Sequence, residues 1–237
     1  MRLQDNLEIE LKLSVTGDDP DALLDEVARL DRLGSYQLSP TEDHRLRDIY
    51  WDLPDGGLHA LKLSLRLRQI DERLVFTAKG GTSSSEGLFR RYELEVPATR
   101  ENWAAVRAAL VSEGAELGGD ASGDGPEAWL RGAGLVPTQD RTTRRSAKYA
   151  FVHDQGHAHG NERAAELALD RTRFDYGVTT ADYWEIEIEE LNGHEQAPRQ
   201  LGRALMDRFG DRLELSTMGK YSRGLAIERG LRESGRL

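Results

Sequence analysis

The feature that most constrains this chain is a spacing of two. In "LEIELKL", from Leu7 to Leu13, apolar residues take the odd positions while Glu8, Glu10 and Lys12 take the even ones. That alternation is a β-strand with one apolar and one charged face. It recurs along the chain. "LRLR" places Arg66 with Arg68, "VFTAK" places Thr77 with Lys79, and "RYELEV" puts Arg91, Glu93 and Glu95 on one face. "ELALD" aligns Glu166 with Asp170, and "WEIEIEE" aligns Glu185, Glu187 and Glu189, with Ile186 and Ile188 behind them. The apolar faces need a hydrophobic layer. The charged faces need water, either outside an open sheet or inside a closed barrel.

Helices flank these strands. One is predicted over 18–34, capped by Asp18 or Asp19 with Pro20 in its first turn, and one over 99–115, capped by Thr99. Two more are predicted over 197–210 and 217–231 from their apolar stripes. "GGTSSSEG" at 80–87 reads as a flexible connection, and with Lys79 before it the Lys, Gly and Thr are in the wrong order for a phosphate loop. About eight strands, mostly consecutive, predict an α+β fold with an antiparallel sheet or barrel. The 237 residues suit a single domain, and no break in composition divides them.

A formal net charge of −10 argues against nucleic acid and anionic membranes as partners. The absence of cysteine removes disulfides, thiolate metal sites and a thiol nucleophile. There is no apolar signal core and no apolar run near the ~20 residues that span a bilayer, so a cytoplasmic protein is expected.

A solvated outer face would explain any one charged strand, with cross-strand pairs contributing roughly 0.2–1 kcal/mol each. It explains three acids in a row less well, because like charges on one face repel. Clustered carboxylates suit hard cations such as Mg²⁺ or Mn²⁺. Clustered Arg and Lys suit phosphate oxygens. The two together suit a metal–polyphosphate complex. The repulsion among Glu185, Glu187 and Glu189 also predicts that neutralising Glu187 leaves the metal-free fold intact or firmer. His153, His157 and His159 in "HDQGHAHG" could ligate a metal but read as a loop, and Trp51, Trp103, Trp129 and Trp184 read as packing residues.

"EIELKL" resembles the ExExK signature of the CYTH family, the triphosphate tunnel metalloenzymes. Later pieces follow in the family's order: "DIYWDLPDGGLHALKLSLRLRQ", "VFTAKGG", "RRYELEV", "ALDRTRFDYG", "YWEIEIEEL" and "GKYSRG". The resemblance implies a closed eight-stranded antiparallel β-barrel, a tunnel with a charged interior and helices packed outside. It implies one domain over 1–237, without the C-terminal helical CHAD domain that some members carry.

The implied activity is metal-dependent hydrolysis of a small-molecule triphosphate, most similar to the bacterial inorganic triphosphatases and so acting on tripolyphosphate, by a monomer or homodimer. Thiamine-triphosphate hydrolysis and class IV-type adenylate cyclisation are the alternatives within the family. A non-catalytic polyphosphate- or nucleotide-binding module is the alternative outside it. By resemblance, Arg66, Arg68, Lys79, Arg91, Arg145 and Lys220 hold phosphates, and Glu8, Glu10, Asp170, Glu185, Glu187 and Glu189 hold Mg²⁺ or Mn²⁺. Lys12, Glu10 and Arg145 stand closest to the chemistry. The resemblance departs at Gly219, where the family usually has Ser, and "RTTRRSAKYAF" offers Arg144 as an alternative to Arg145.

Overall fold

The computed structural model describes residues 3, 6–119, 123–153 and 161–237, without the side chains of His153 and Asn161. His157 and His159 lie outside the described residues. In chain order the elements are β1 (Leu7–Val15), α1 (Pro20–Ala28), β2 (Arg32–Leu33), β3 (Tyr36–Leu38), β4 (Glu42–Asp52), α2 (Gly57–Ala60), β5 (Ser64–Ile70), β6 (Arg73–Ser85) and β7 (Leu88–Pro97). Then come α3 (Arg100–Ser112), α4 (Pro126–Gly132), β8 (Val136–His153), β9 (Asn161–Asp175), β10 (Thr180–Glu190), α5 (Ala197–Phe209), β11 (Leu213–Leu215) and α6 (Lys220–Glu233).

Eight strands form a closed ring. The order is β8-β4-β5-β6-β7-β1-β10-β9, and β9 returns to pair with β8. Every pairing in the ring is antiparallel. Short strands extend the edges: β2 and β3 continue from the far part of β8, and β11 pairs with β1. Closure leaves each strand one face inside and one outside, so the period-two alternation separates charge from core.

The outward faces are covered by two apolar cores. Ile9, Leu11, Leu13, Leu167, Leu169, Ile186 and Ile188 pack under α1 and α5, against Leu23, Leu24, Leu201, Leu205 and Phe209. Trp51, Leu65, Leu67, Phe76 and Leu94 pack under α3 and α4, against Trp103, Val106, Leu110, Trp129 and Leu130. Three of the four tryptophans therefore serve packing, as expected, and Trp184 packs partly buried against the first core. None of the helices among the described residues is long and apolar enough to cross a membrane.

Local sequence explains the helix starts. Asp19 caps α1 by accepting from the Ala22 N–H at 2.9 Å, and Thr99 caps α3 by accepting from the Asn102 N–H at 3.2 Å. The first helix is shorter than its apolar stripe predicts. It stops at Ala28, where the buried Lys148 ammonium donates to the Ala28 carbonyl at 2.6 Å and also to that of Leu30. Those contacts satisfy carbonyls that a longer helix would have used. The supposed flexible connection at 80–87 is mostly strand. β6 runs to Ser85 with a bulge between Gly80 and Ser83, and the turn into β7 uses Glu86 and Gly87, both at positive φ. Ladder pairing overrides the weak strand propensity of Gly and Ser there.

α6 sits over the barrel and carries Lys220 and Tyr221 to the interior. It approaches closely because residue 224 is glycine. A Cβ there would stand 2.2 Å from Gln139 Nε2 and 2.7 Å from Phe174 Cε1, and the Gly224 carbonyl accepts from the Tyr176 hydroxyl at 2.8 Å. Gly224→Ala is therefore expected to push α6 outward and destabilise the fold by about 1–3 kcal/mol. Melting curves of the two proteins check this, and an unchanged melting temperature would show that the helix has slack.

Candidate active site

The barrel encloses a cavity of about 1240 Å³. Its walls are built by parity. Residues 8, 10 and 12 of β1 face inward, as do 66 and 68 of β5, 91, 93 and 95 of β7, 141 and 145 of β8, and 187 and 189 of β10. Asp170 and Glu185 lie behind this lining, both 0% exposed. Arg144 is exposed on the outer face, opposite Arg171, so the inward arginine is Arg145.

The charges interlock. Lys79 bridges Glu8 at 2.9 Å and Glu93 at 3.1 Å, and Arg91 binds Glu8 at 2.6 Å and also Glu10. Lys12, 1% exposed, reaches Glu10 at 2.8 Å and also Glu187. Arg145 holds Asp170 through two bonds of 2.8 and 2.7 Å and Glu187 through one of 2.7 Å. Lys220 lies among Asp170 (2.8 Å), Glu187 (2.9 Å) and Glu185. On the other wall Arg68 clasps Asp48 through bonds of 2.7 and 2.9 Å, and Arg141 reaches the same carboxylate at 2.8 Å. Glu95 accepts from Thr77 at 2.8 Å.

These partners set the protonation states. Burial opposes charge on Glu187, but Lys12, Lys220 and Arg145 outweigh it and hold the carboxyl well below the usual range. Burial is likewise overcome at Asp170, where Arg145 and Lys220 lower the pKa to about 2. Burial dominates at Glu185 and, with repulsion from Glu187, pushes it up. Glu189 is pushed up to about 8, by burial first and then by Glu8, outweighing Lys79.

All the sequence-predicted residues face the tunnel or lie directly behind its lining, but they divide into groups. The ligand oxygens of Asp170, Glu185 and Glu187 converge within 4.8 Å of one another. Both Glu185 oxygens are buried and lack a donor in hydrogen-bond geometry among the described residues, although Lys220 pairs with one electrostatically. An all-oxygen donor set of three converging carboxylates fits a hard divalent cation. Glu8 and Glu10 are instead engaged by Lys79, Arg91 and Lys12, while Glu189 stands apart, opposite Glu10 and Glu166 in the ladders.

The repulsion expected at Glu187 is outweighed by cations from other elements. It is the most compensated of its three acids, so its loss would take one buried partner from each of Lys12, Arg145 and Lys220. Asp48, Tyr50, Arg141 and Tyr221 were missed. Parity offered a signal for three of them: Asp48 and Tyr50 alternate with Ile49 and Trp51, and Arg141 shares a face with Arg145 through Thr143.

This charged, closed tunnel defines the class of protein. Residues 6–223 match the CYTH domain, and the chain belongs to the CYTH family. Its fold is similar to that of the Hippeastrum protein HpAC1, described as an adenylyl cyclase candidate with a dominant triphosphatase activity, at 19% identity and a TM-score of 0.58 over 92% of this chain and 95% of that one. It is also similar to an adenylate cyclase candidate from Bacillus halodurans, at 19% identity and 0.50 over 92% and 97% of the two chains. The PH1819 protein of Pyrococcus horikoshii OT3 matches at 16% identity and 0.50, over 94% and 99%. At these identities the likeness establishes the fold.

Two neighbours on β10 should respond oppositely. In chelator, Glu187→Gln is expected to destabilise by on the order of 3 kcal/mol, because its cations lose a buried partner. Glu189→Gln should not destabilise. Since the Glu189 pKa is raised in the fold, its contribution is complete below the ordinary carboxylate range and is lost as pH rises through about 8. Melting curves from pH 5 to 9 should show a falling component in the parent that is missing in Glu189→Gln.

Proposed function

We propose that the tunnel hydrolyses a triphosphate with Mg²⁺ or Mn²⁺, and that inorganic tripolyphosphate is the substrate. The observation that carries this reading is the division of one cavity. The converging oxygens of Asp170, Glu185 and Glu187 lie on one side, and inward Arg66, Lys79, Arg91 and Arg145 supply cations around it.

Asp170, Glu185 and Glu187 would hold the metal, with Glu8, Glu10 and Glu189 near enough along the wall to complete its surroundings. The bound ion would neutralise phosphate charge and lower the pKa of an attacking water. The chain's own residues do the rest. Arg66, Lys79, Arg91, Arg145 and Lys220 bind the phosphate oxygens and align the chain for in-line attack on a terminal phosphorus. Lys12 keeps Glu187 ionised and pairs with Glu10 across the lining. Lys220, which touches all three acids of the cluster, is placed to turn its ammonium toward a phosphate oxygen when another cation compensates those acids. Arg68 donates to Asp48 from Nε and Nη2, and it supports the wall more than it grips substrate. No covalent enzyme intermediate is required.

Phosphate release from tripolyphosphate, ATP and thiamine triphosphate, each with Mg²⁺ or Mn²⁺, tests the reading. Tripolyphosphate should turn over fastest, chelation should stop the reaction, and Glu187→Gln should lower kcat by on the order of 10²-fold, about 3 kcal/mol of transition-state stabilisation. Turnover that survives exhaustive chelation would overturn the metal mechanism.

A further inference from the structure

A second cavity, of about 450 Å³, lies on the outer side of the barrel and shares no lining residue with the tunnel. Its size suits a small organic molecule. Ile49 and Trp51 of β4, Arg131 of α4, Gln139 of β8 and Arg232 of α6 line it, so it sits where those four elements meet. The pairing of β4 with β8 is irregular there. Tyr50 stands opposite Gln139 but Trp51 stands opposite Pro137, which leaves Thr138 as an extra residue. Such a bulge re-aims the side chains beside it.

Two residues of this lining keep a buried polar atom without a hydrogen-bond partner among the described residues. One atom is a donor, the indole Nε1 of Trp51, and the other is an acceptor, Oε1 of Gln139. The residues are 2% and 6% exposed, and interiors rarely leave such groups unmade. The rest of each side chain is held. Trp51 packs in the second apolar core, with the Arg131 guanidinium 5.1 Å from its ring centroid. Gln139 donates from Nε2 to the Tyr221 carbonyl at 3.1 Å, with Gly224 close against its amide. The charges of the lining neutralise one another. Arg47 pairs with Asp140 at 2.6 Å, Arg131 with Glu127 at 3.8 Å and Arg232 with Glu228 at 2.7 Å. Asp175, the remaining acid, accepts from the Gly177 N–H at 2.8 Å. A phosphate therefore finds no unpaired cation here.

We propose that this outer cavity binds an uncharged planar ring bearing a carboxamide or lactam edge. Such an edge presents a carbonyl acceptor beside an N–H donor. The carbonyl accepts from the Trp51 indole, and the N–H donates to Gln139 Oε1. Ile49 and Pro137 supply apolar wall, and Arg131, an exposed side chain already lying over the indole, closes beside the ring. The site differs in chemistry from the tunnel and does not rest on the triphosphate reading. Gln139 also holds the first turn of α6 through Tyr221, which ties occupancy of this cavity to the helix that enters the tunnel.

The test is an NMR titration of the isotope-labelled protein, read at its assigned indole N–H signals. The probes are nicotinamide and uracil, both uncharged, with inorganic phosphate as the charged control. The Trp51 signal should move saturably with nicotinamide or uracil and stay in place with phosphate, while the signals of Trp103, Trp129 and Trp184 stay in place throughout. Gln139→Leu should weaken binding about tenfold, as loss of one hydrogen bond implies. Arg131→Ala, an exposed change, should weaken it several-fold. Melting curves verify the fold of each variant. No saturable movement with either uncharged probe, an equal response to phosphate, or parental affinity in both folded variants would overturn the site. If Gln139→Leu does not fold, Arg131→Ala decides alone, and an unchanged affinity there overturns it.

Discussion

Reciprocal charge compensation inside the barrel is the constraint on which the rest of the structure depends. A closed ring of eight strands turns one face of each strand away from bulk water, and here those faces carry Lys, Arg, Asp and Glu. An isolated buried charge would neutralise itself or unfold the protein. Most interior ions instead find partners on another strand or on α6: Lys79 on β6 bridges acids of β1 and β7, Arg145 on β8 those of β9 and β10, and Lys220 those of β9 and β10. The apolar cores hold the helices on. The ionic lattice, whose bonds run across the ring, decides that the ring has a polar interior at all.

Compensation is uneven, and the unevenness locates the chemistry. Glu187 and Asp170 are held ionised by several cations, while Glu185 and Glu189 are pushed toward the neutral form by burial and by their acidic neighbours. A site in which some acids are held ionised while their neighbours are pushed toward neutrality is unfavourable by itself and favourable around a cationic ligand. Functional sites are where such strain concentrates.

Much of this was legible in the sequence because an inward face of uniform charge alternates cleanly. β1 and β10 show it best, with Glu8, Glu10 and Lys12 on one and Glu185, Glu187 and Glu189 on the other. β4 shows it poorly, since its inward face mixes His44, Leu46, Asp48 and Tyr50, and an apolar Leu46 among polar residues blurs the period. Arg141 was hidden in a run of basic residues where only parity separates it from Arg144. Pair identities were not legible, because they depend on the register of closure. Glu187 shows the limit: read along its own strand it is surrounded by like charges, and only the ring brings Lys12, Arg145 and Lys220 to it. α4 and the strand continuing through 80–85 were missed because short helices and Gly/Ser strands depend on tertiary pairing more than on propensity.

The seam between β1 and β10, where Glu10 stands opposite Glu189, has a consequence for how the chain reaches this state. Those partners are separated by most of the sequence, so the ring belongs to the high-contact-order topologies that fold slowly. During synthesis at about 5–20 residues per second, β1 emerges long before β10 exists and has β7 as its earlier available neighbour. Until β9, β10 and α6 arrive, Lys12 lacks Glu187 and the arginines of β5 and β7 face water through an open sheet. A sheet left open at that seam carries a wet charged face, and that polarity is protective: strands bearing Glu, Lys and Arg discourage pairing with other chains. The residues arranged for the finished tunnel thereby also guard the unfinished one.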